Sequence, residues 1–262
     1  MKNNYESILE SLSLSLSELH KQMYSGVVDL IKNFSELYLS FFKNTFVVDF
    51  KVSPEREKEL QQFCEKLLKY GWVIFDNLPI FICNMEFDSQ EAVDTYIEEF
   101  FTDEYLHKIF DLLMSNPNIS KEDIESILKC MELKLYKACC CLLIANLEHY
   151  VINNYEISQK AIIKEDAIDR MENLNKKVNG DSRNILSYLH IYSLVLGIRE
   201  LFKSVGDMKN VDDTTFVVPN RHCLMHGYSK RKYTKKDCYF LLLLLSGFII
   251  QKERLFLSKQ NV

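Results

Sequence analysis

Val218-Pro219-Asn220-Arg221-His222-Cys223-Leu224-Met225-His226-Gly227 leads through the charged loop Lys230-Arg231-Lys232 into the apolar run Phe240–Ile250. Pro219 suits the start of a helix and Gly227 its end, so the spacing predicts one short helix between them. Thr234 with Asp237 three residues on predicts the cap of a longer apolar helix reaching about Ser258. Two helices joined by a charged loop set the pattern for the rest of the chain. With only seven Gly and four Pro in 262 residues, a turn-rich β architecture is excluded. Long glycine-free stretches of Leu, Glu, Lys and Ile predict an all-α helical bundle.

Upstream of this stretch, residues 182–202 predict a helix with Ile185, Leu189, Tyr192, Leu196 and Ile198 on its apolar face. Residues 158–177 predict another, closed by the turn Asn179-Gly180-Asp181. Ser120-Lys121-Glu122-Asp123 has the form of a capped start and opens a helical stretch reaching about Asn154. Shorter helices are expected over residues 89–101 and 103–114, the second stopped by Ser115-Asn116-Pro117. Ser53-Pro54-Glu55 opens a helix that Gly71 closes, with Leu60, Phe63, Cys64, Leu67 and Leu68 facing inward. Phe46–Phe50 reads as a short extended segment.

Residues 5–43 predict a long amphipathic helix. Leu9, Leu12, Leu16, Leu19 and Met23 keep the three–four spacing of a heptad seam, which Ser25-Gly26 interrupts. Such an arm either pairs with a second copy or packs back on its own domain, and the short, broken seam favours packing back. The organisation expected is an N-terminal long-helix region over residues 1–117 and a helical bundle over residues 118–262.

The formal net charge is −5, unevenly spread. From Pro219 onward, nine Lys and Arg face two acidic residues, a local charge of +7. The remaining 23 basic and 35 acidic residues give −12. A basic segment on an acidic body suggests a face for a polyanion. The run Phe240–Ile250 falls short of the roughly twenty residues a bilayer requires, and no signal-peptide pattern opens the chain. Eight cysteines without framework spacing suggest reduced thiols in a cytoplasm. Cys139-Cys140-Cys141 is no metal box, because consecutive helical residues diverge by about 100°.

The chemistry of the opening stretch lies in Arg221 and His226. A guanidinium is always cationic and its planar fork fits phosphate oxygens. Histidine exchanges protons near neutral pH. In a regular helix the two lie about 140° apart, so reaching one phosphate requires His226 at the unwinding end and a bent arginine.

Arg221-His222-Cys223-Leu224-Met225-His226 resembles the R-x(4–6)-H signature of HEPN-domain ribonucleases. His222 fits the polar residue that follows the arginine, and Asn220, Gly227 and the following Lys-rich loop and Leu-rich helix also match. The resemblance covers roughly the last 140 residues. It implies a HEPN-like bundle and a metal-independent endoribonuclease, without cofactor, acting as a homodimer whose two motifs form one composite cleft. His226 would serve as general base or acid, Arg221 would bind the phosphate, and His222 would orient or help with protons. Glu148 matches an acidic residue often found on an upstream helix, with Asn220 supporting the motif. Lys230, Arg231, Lys232, Lys235 and Lys236 would hold flanking phosphates of the RNA. Tyr228 and Tyr233 would stack on bases, or simply pack at an amphipathic loop. The family setting implies a bacterial toxin or antiviral-defence effector, with an antitoxin or activator as a further partner. Two alternatives stay open. One is a HEPN-like module that binds nucleic acid or nucleotide, or assembles, without catalysis. The other is a helical scaffold in which the Arg-His pair is structural.

Overall fold

The computed structural model describes residues 53–76, 78–155, 185–206 and 210–260. The chain divides into two units, Met1–Val48 and Asp49–Val262, and every described residue lies in the second. The heptad arm, the extended segment at Phe46–Phe50, the helix expected over residues 158–177 and the turn at Asn179-Gly180-Asp181 lie outside the described residues.

The described residues form helices without strands. In chain order these are α1 (Pro54–Lys69), α2 (Gln90–Glu98), α3 (Asp103–Ser115), α4 (Lys121–Glu132), α5 (Tyr136–Tyr155), α6 (Ile185–Leu201), α7 (Arg221–Met225) and α8 (Lys235–Gln260). Short 3₁₀ turns lie at Ile80–Asn84 and Asp213–Thr215.

Four helices begin with a hydroxyl accepting a backbone N–H that lacks a partner within the first turn. Ser53 caps α1 at 3.2 Å, Ser89 caps α2 at 3.1 Å, Thr102 caps α3 at 3.2 Å and Ser120 caps α4 at 3.3 Å. Pro54 sits at the first turn of α1, with Glu55 and Glu57 beside the positive helix end and Lys66 and Lys69 near the other. Gly71 follows in the left-handed region at φ 78°, and the chain turns into the buried crossing Trp72-Val73.

The helix expected from Ser120 to Asn154 is two helices. It breaks at Leu133–Leu135, where Lys134 adopts φ 57° and the Leu135 N–H donates to Cys130 O at 2.8 Å. Neither Gly nor Pro marks this break. Folding back lets the Ile124 and Ile127 face of α4 pack on α5, and that burial outweighs the helical propensity of the connecting residues.

At the centre lies α8. Every residue from Asp237 to Ile249 is buried, so the helix has no solvent face over that span. It packs on α5, α6 and α3. Gly197 on α6 and Gly247 on α8 permit the close approach. A Cβ at Gly197 would lie 2.8 Å from Leu244 Cδ2, and one at Gly247 would lie 2.7 Å from Leu194 Cδ2.

Position 117 does not divide two cores within this unit. Trp72, Ile97 and Phe101 share one hydrophobic core with Leu143, Leu194 and Tyr239. The Phe101 and Tyr239 rings stack across that position at 4.2 Å between centroids. Among the described residues no helix is long and apolar enough to cross a membrane.

Candidate functional site

The site is built on α7, a single short helix docked against α5. Asn220 fixes its start. The Asn220 Oδ1 accepts the Cys223 N–H at 3.1 Å, and its Nδ2 donates to Lys203 O at 2.9 Å. The side chain thus ties α7 to the end of α6, and the residue is 1% exposed. Gly227 closes the helix at φ 76°, and the Tyr228 N–H donates back to Cys223 O at 2.9 Å.

Arg221 opens α7 and reaches α5. Its Nε donates to Glu148 Oε2 at 3.1 Å and its Nη2 to Glu148 Oε1 at 3.2 Å, a two-pronged ion pair. Both side chains are largely buried, at 19% and 15% exposure, which keeps solvent screening low and the guanidinium fixed.

His222 and His226 lie one turn apart, with ring planes 2° from parallel and centroids 6.4 Å apart. His226 is exposed and His222 half-buried. Burial, the Arg221 charge and then His226 lower the His222 pKa. A hydrogen bond to the Phe202 backbone and the Glu148 charge oppose that shift. The close pairings are therefore His222 with His226 and Arg221 with Glu148. Arg221 reaches α5, while His222 beside it and His226 at the C-terminal end of α7 hold their rings near parallel.

The residues expected to hold RNA split into two groups. Lys230 and Lys232 are exposed on the loop beyond α7. Arg231 is instead spent within the fold: Nη2 donates to Asp237 Oδ1 at 2.6 Å and Nη1 to Phe216 O at 2.9 Å. Lys236 pairs with Asp94 at 2.6 Å, donates to Tyr70 O at 2.7 Å and lies over the Trp72 ring. Tyr233 is buried, its hydroxyl 2.8 Å from Ser229 Oγ, so it offers no stacking face. Lys235 lies over the Tyr239 ring at 4.9 Å. Tyr228, by contrast, is 38% exposed.

Asp213 was not legible as a site residue. Fully buried, it accepts the Lys230 N–H at 2.7 Å, the Arg231 N–H at 3.2 Å and the Ser229 hydroxyl, fixing the loop that follows α7. Only the turn-forming run Asp212-Asp213-Thr214-Thr215 signals it in sequence. Cys139 and Cys140 are buried and Cys141 half-buried, with Cys140 Sγ 3.8 Å from Cys238 Sγ.

The arrangement offers a fixed cationic fork, two imidazoles of differing exposure and two exposed lysines. Comparison with family models, curated proteins and solved structures finds no match for this chain.

Proposed function

We propose that the α7 cluster is the catalytic half-site of an endoribonuclease that needs no metal, completed by a second copy of the chain. The observation that supports this reading is the stacked His222–His226 pair beside an arginine already fixed by Glu148. Glu148 takes the Nε–Nη2 edge of Arg221, and the Nη1 side is the one offered to a phosphate oxygen.

In the reaction, His226 takes the proton of the RNA 2′-hydroxyl as that oxygen attacks the adjacent phosphorus. The bond from phosphorus to the 5′-oxygen breaks, and the leaving oxygen takes a proton from the partner's imidazolium. The products are a 2′,3′-cyclic phosphate and a 5′-hydroxyl. Arg221 stabilises the charge that develops on the phosphoryl oxygens. His222, whose burial disfavours protonation, orients His226 and stays neutral. Lys230 and Lys232 hold flanking phosphates in a salt-sensitive manner. A cytoplasmic toxin or antiviral effector is the setting in which such an activity would serve.

A second reading, a HEPN-like module that binds nucleic acid without cutting it, draws on the neutralisation of Arg221 by Glu148. The experiment is RNA cleavage in chelator by wild type, Arg221→Ala and His226→Ala, with helicity checked by circular dichroism. Wild type is expected to leave cyclic phosphate ends. Each variant should stay folded and lose about 10²–10⁴-fold in rate. Undiminished cleavage by the His226 variant overturns the mechanism, and RNA binding without cleavage by all three supports the second reading.

A further inference from the structure

Cys140 on α5 and Cys238 on α8 lie 98 positions apart, yet their sulfurs stand 3.8 Å from each other. Both side chains are fully buried. The Cys238 thiol donates to Tyr136 O at 3.7 Å, which leaves its sulfur as the acceptor for the Cys140 S–H. The pair sits where the starts of two packed helices meet, Cys140 being the fifth residue of α5 and Cys238 the fourth of α8. A disulfide needs about 2.05 Å between sulfurs. Closing the gap moves each sulfur by about 0.9 Å, within reach of side-chain rotation.

A single buried thiol is inert, but two in contact can react with each other once one is oxidised. The chain neighbours Lys137, Ala138, Thr234 and Lys235 are exposed, so the pair lies close beneath the surface. Helix ends are also where local opening costs least. A small neutral oxidant enters through such an opening more readily than a bulky alkylating reagent. Contact with Cys238 lowers the Cys140 pKa, but burial and the Asp237 charge raise it by more, so the thiol stays protonated at rest. The pair therefore answers a sustained oxidant rather than a passing one.

We propose that Cys140 and Cys238 are a modification site, at which a peroxide forms a reversible disulfide that ties α5 to α8. One sulfur, giving up its proton, attacks the peroxide; the O–O bond breaks, leaving a sulfenic acid and hydroxide, which takes that proton to become water. The second sulfur attacks the sulfenic sulfur, the S–S bond forms and the S–O bond breaks. The oxygen leaves as a second water with the second thiol's proton, so two thiols and one peroxide give one disulfide and two waters. Intracellular disulfides of this kind are transient and redox-sensing. The loop so closed contains α6 and α7, and with them Glu148, Arg221, His222 and His226. Oxidation therefore braces the frame that carries the candidate site and restricts the unfolded chain.

The test treats the reduced full chain with hydrogen peroxide under native conditions. Remaining thiols are then blocked with N-ethylmaleimide in urea and mapped by mass spectrometry. Wild type should lose two hydrogens in mass and yield a peptide pair joined through Cys140 and Cys238. Its urea midpoint should rise by about 1 M and fall back with dithiothreitol. Cys139→Ala should keep the cross-link, whereas Cys140→Ala and Cys238→Ser should each lose both the cross-link and the shift. Conversion of the exposed Met225 to its sulfoxide reports that the oxidant has acted. The proposal is overturned if Met225 is converted while Cys140 and Cys238 are both recovered carrying maleimide, or if the cross-link survives in Cys140→Ala. Neither outcome depends on whether the chain cuts RNA.

Discussion

Asn220 shows how one side chain can fix both the start of a helix and its attachment to a neighbour. Its carboxamide spends the oxygen on the Cys223 N–H and the nitrogen on Lys203 O, at 1% exposure. Asn220→Ala removes both bonds and leaves two buried groups unpaired. It should cost about 1–3 kcal/mol, read as a lower urea midpoint. Asn220→Asp keeps the cap but sets a carboxylate against a carbonyl oxygen, so it should not restore wild-type stability. A midpoint equal to wild type for both variants would remove Asn220 from this role. Most of the site was legible at this scale because Asn220, Arg221, His222 and His226 are local in sequence. Glu148 came from the resemblance, and its pairing with Arg221 spans 73 positions. Arg231 and Lys236 were expected to hold RNA phosphates, and Tyr233 either to stack on a base or to pack at the loop; the partners that occupy them in the fold were hidden for the same reason. Charge and aromatic character are visible in sequence, but Phe216, Asp94 and Tyr70, which absorb them, are brought near only by folding.

At the scale of elements, the capping hydroxyls made helix starts readable, since Ser53, Ser89, Thr102 and Ser120 all act through bonds within one turn. Breaks without Gly or Pro were not readable. The turn between α4 and α5 is imposed by packing, and Lys134 bears the strain of a left-handed conformation at φ 57°. Lys134→Gly relieves the Cβ clash of that conformation. It should raise the urea midpoint by an amount equivalent to about 0.5–1 kcal/mol, net of the greater chain entropy that glycine brings to the unfolded state. A lowered midpoint would mean that the turn carries no such strain. The all-α class was legible because it rests on composition and period. How helices pair was not, since α8 meets α5, α6 and α3 through an apolar surface that has no preferred side in sequence.

Across the molecule, the shared core predicts cooperative loss of structure on both sides of position 117. Cys64 on α1 and Cys223 on α7 are both fully buried, and burial raises both thiol pKa values, helped by Cys83 for the first and Asp213 for the second. Neither should alkylate in the native protein. Both should become reactive, by mass spectrometry, over the same urea range in which the emission of the buried Trp72 shifts. Separate transitions for the two thiols would show independent units instead. The placement of α8 has one more consequence, for synthesis. A ribosome delivers α3, α5 and α6 before the helix on which all three pack. At about 5–20 residues per second, the apolar faces of α5 wait several seconds for their central partner. The nascent chain should therefore engage holdase chaperones through those faces and release them only once α8 has emerged.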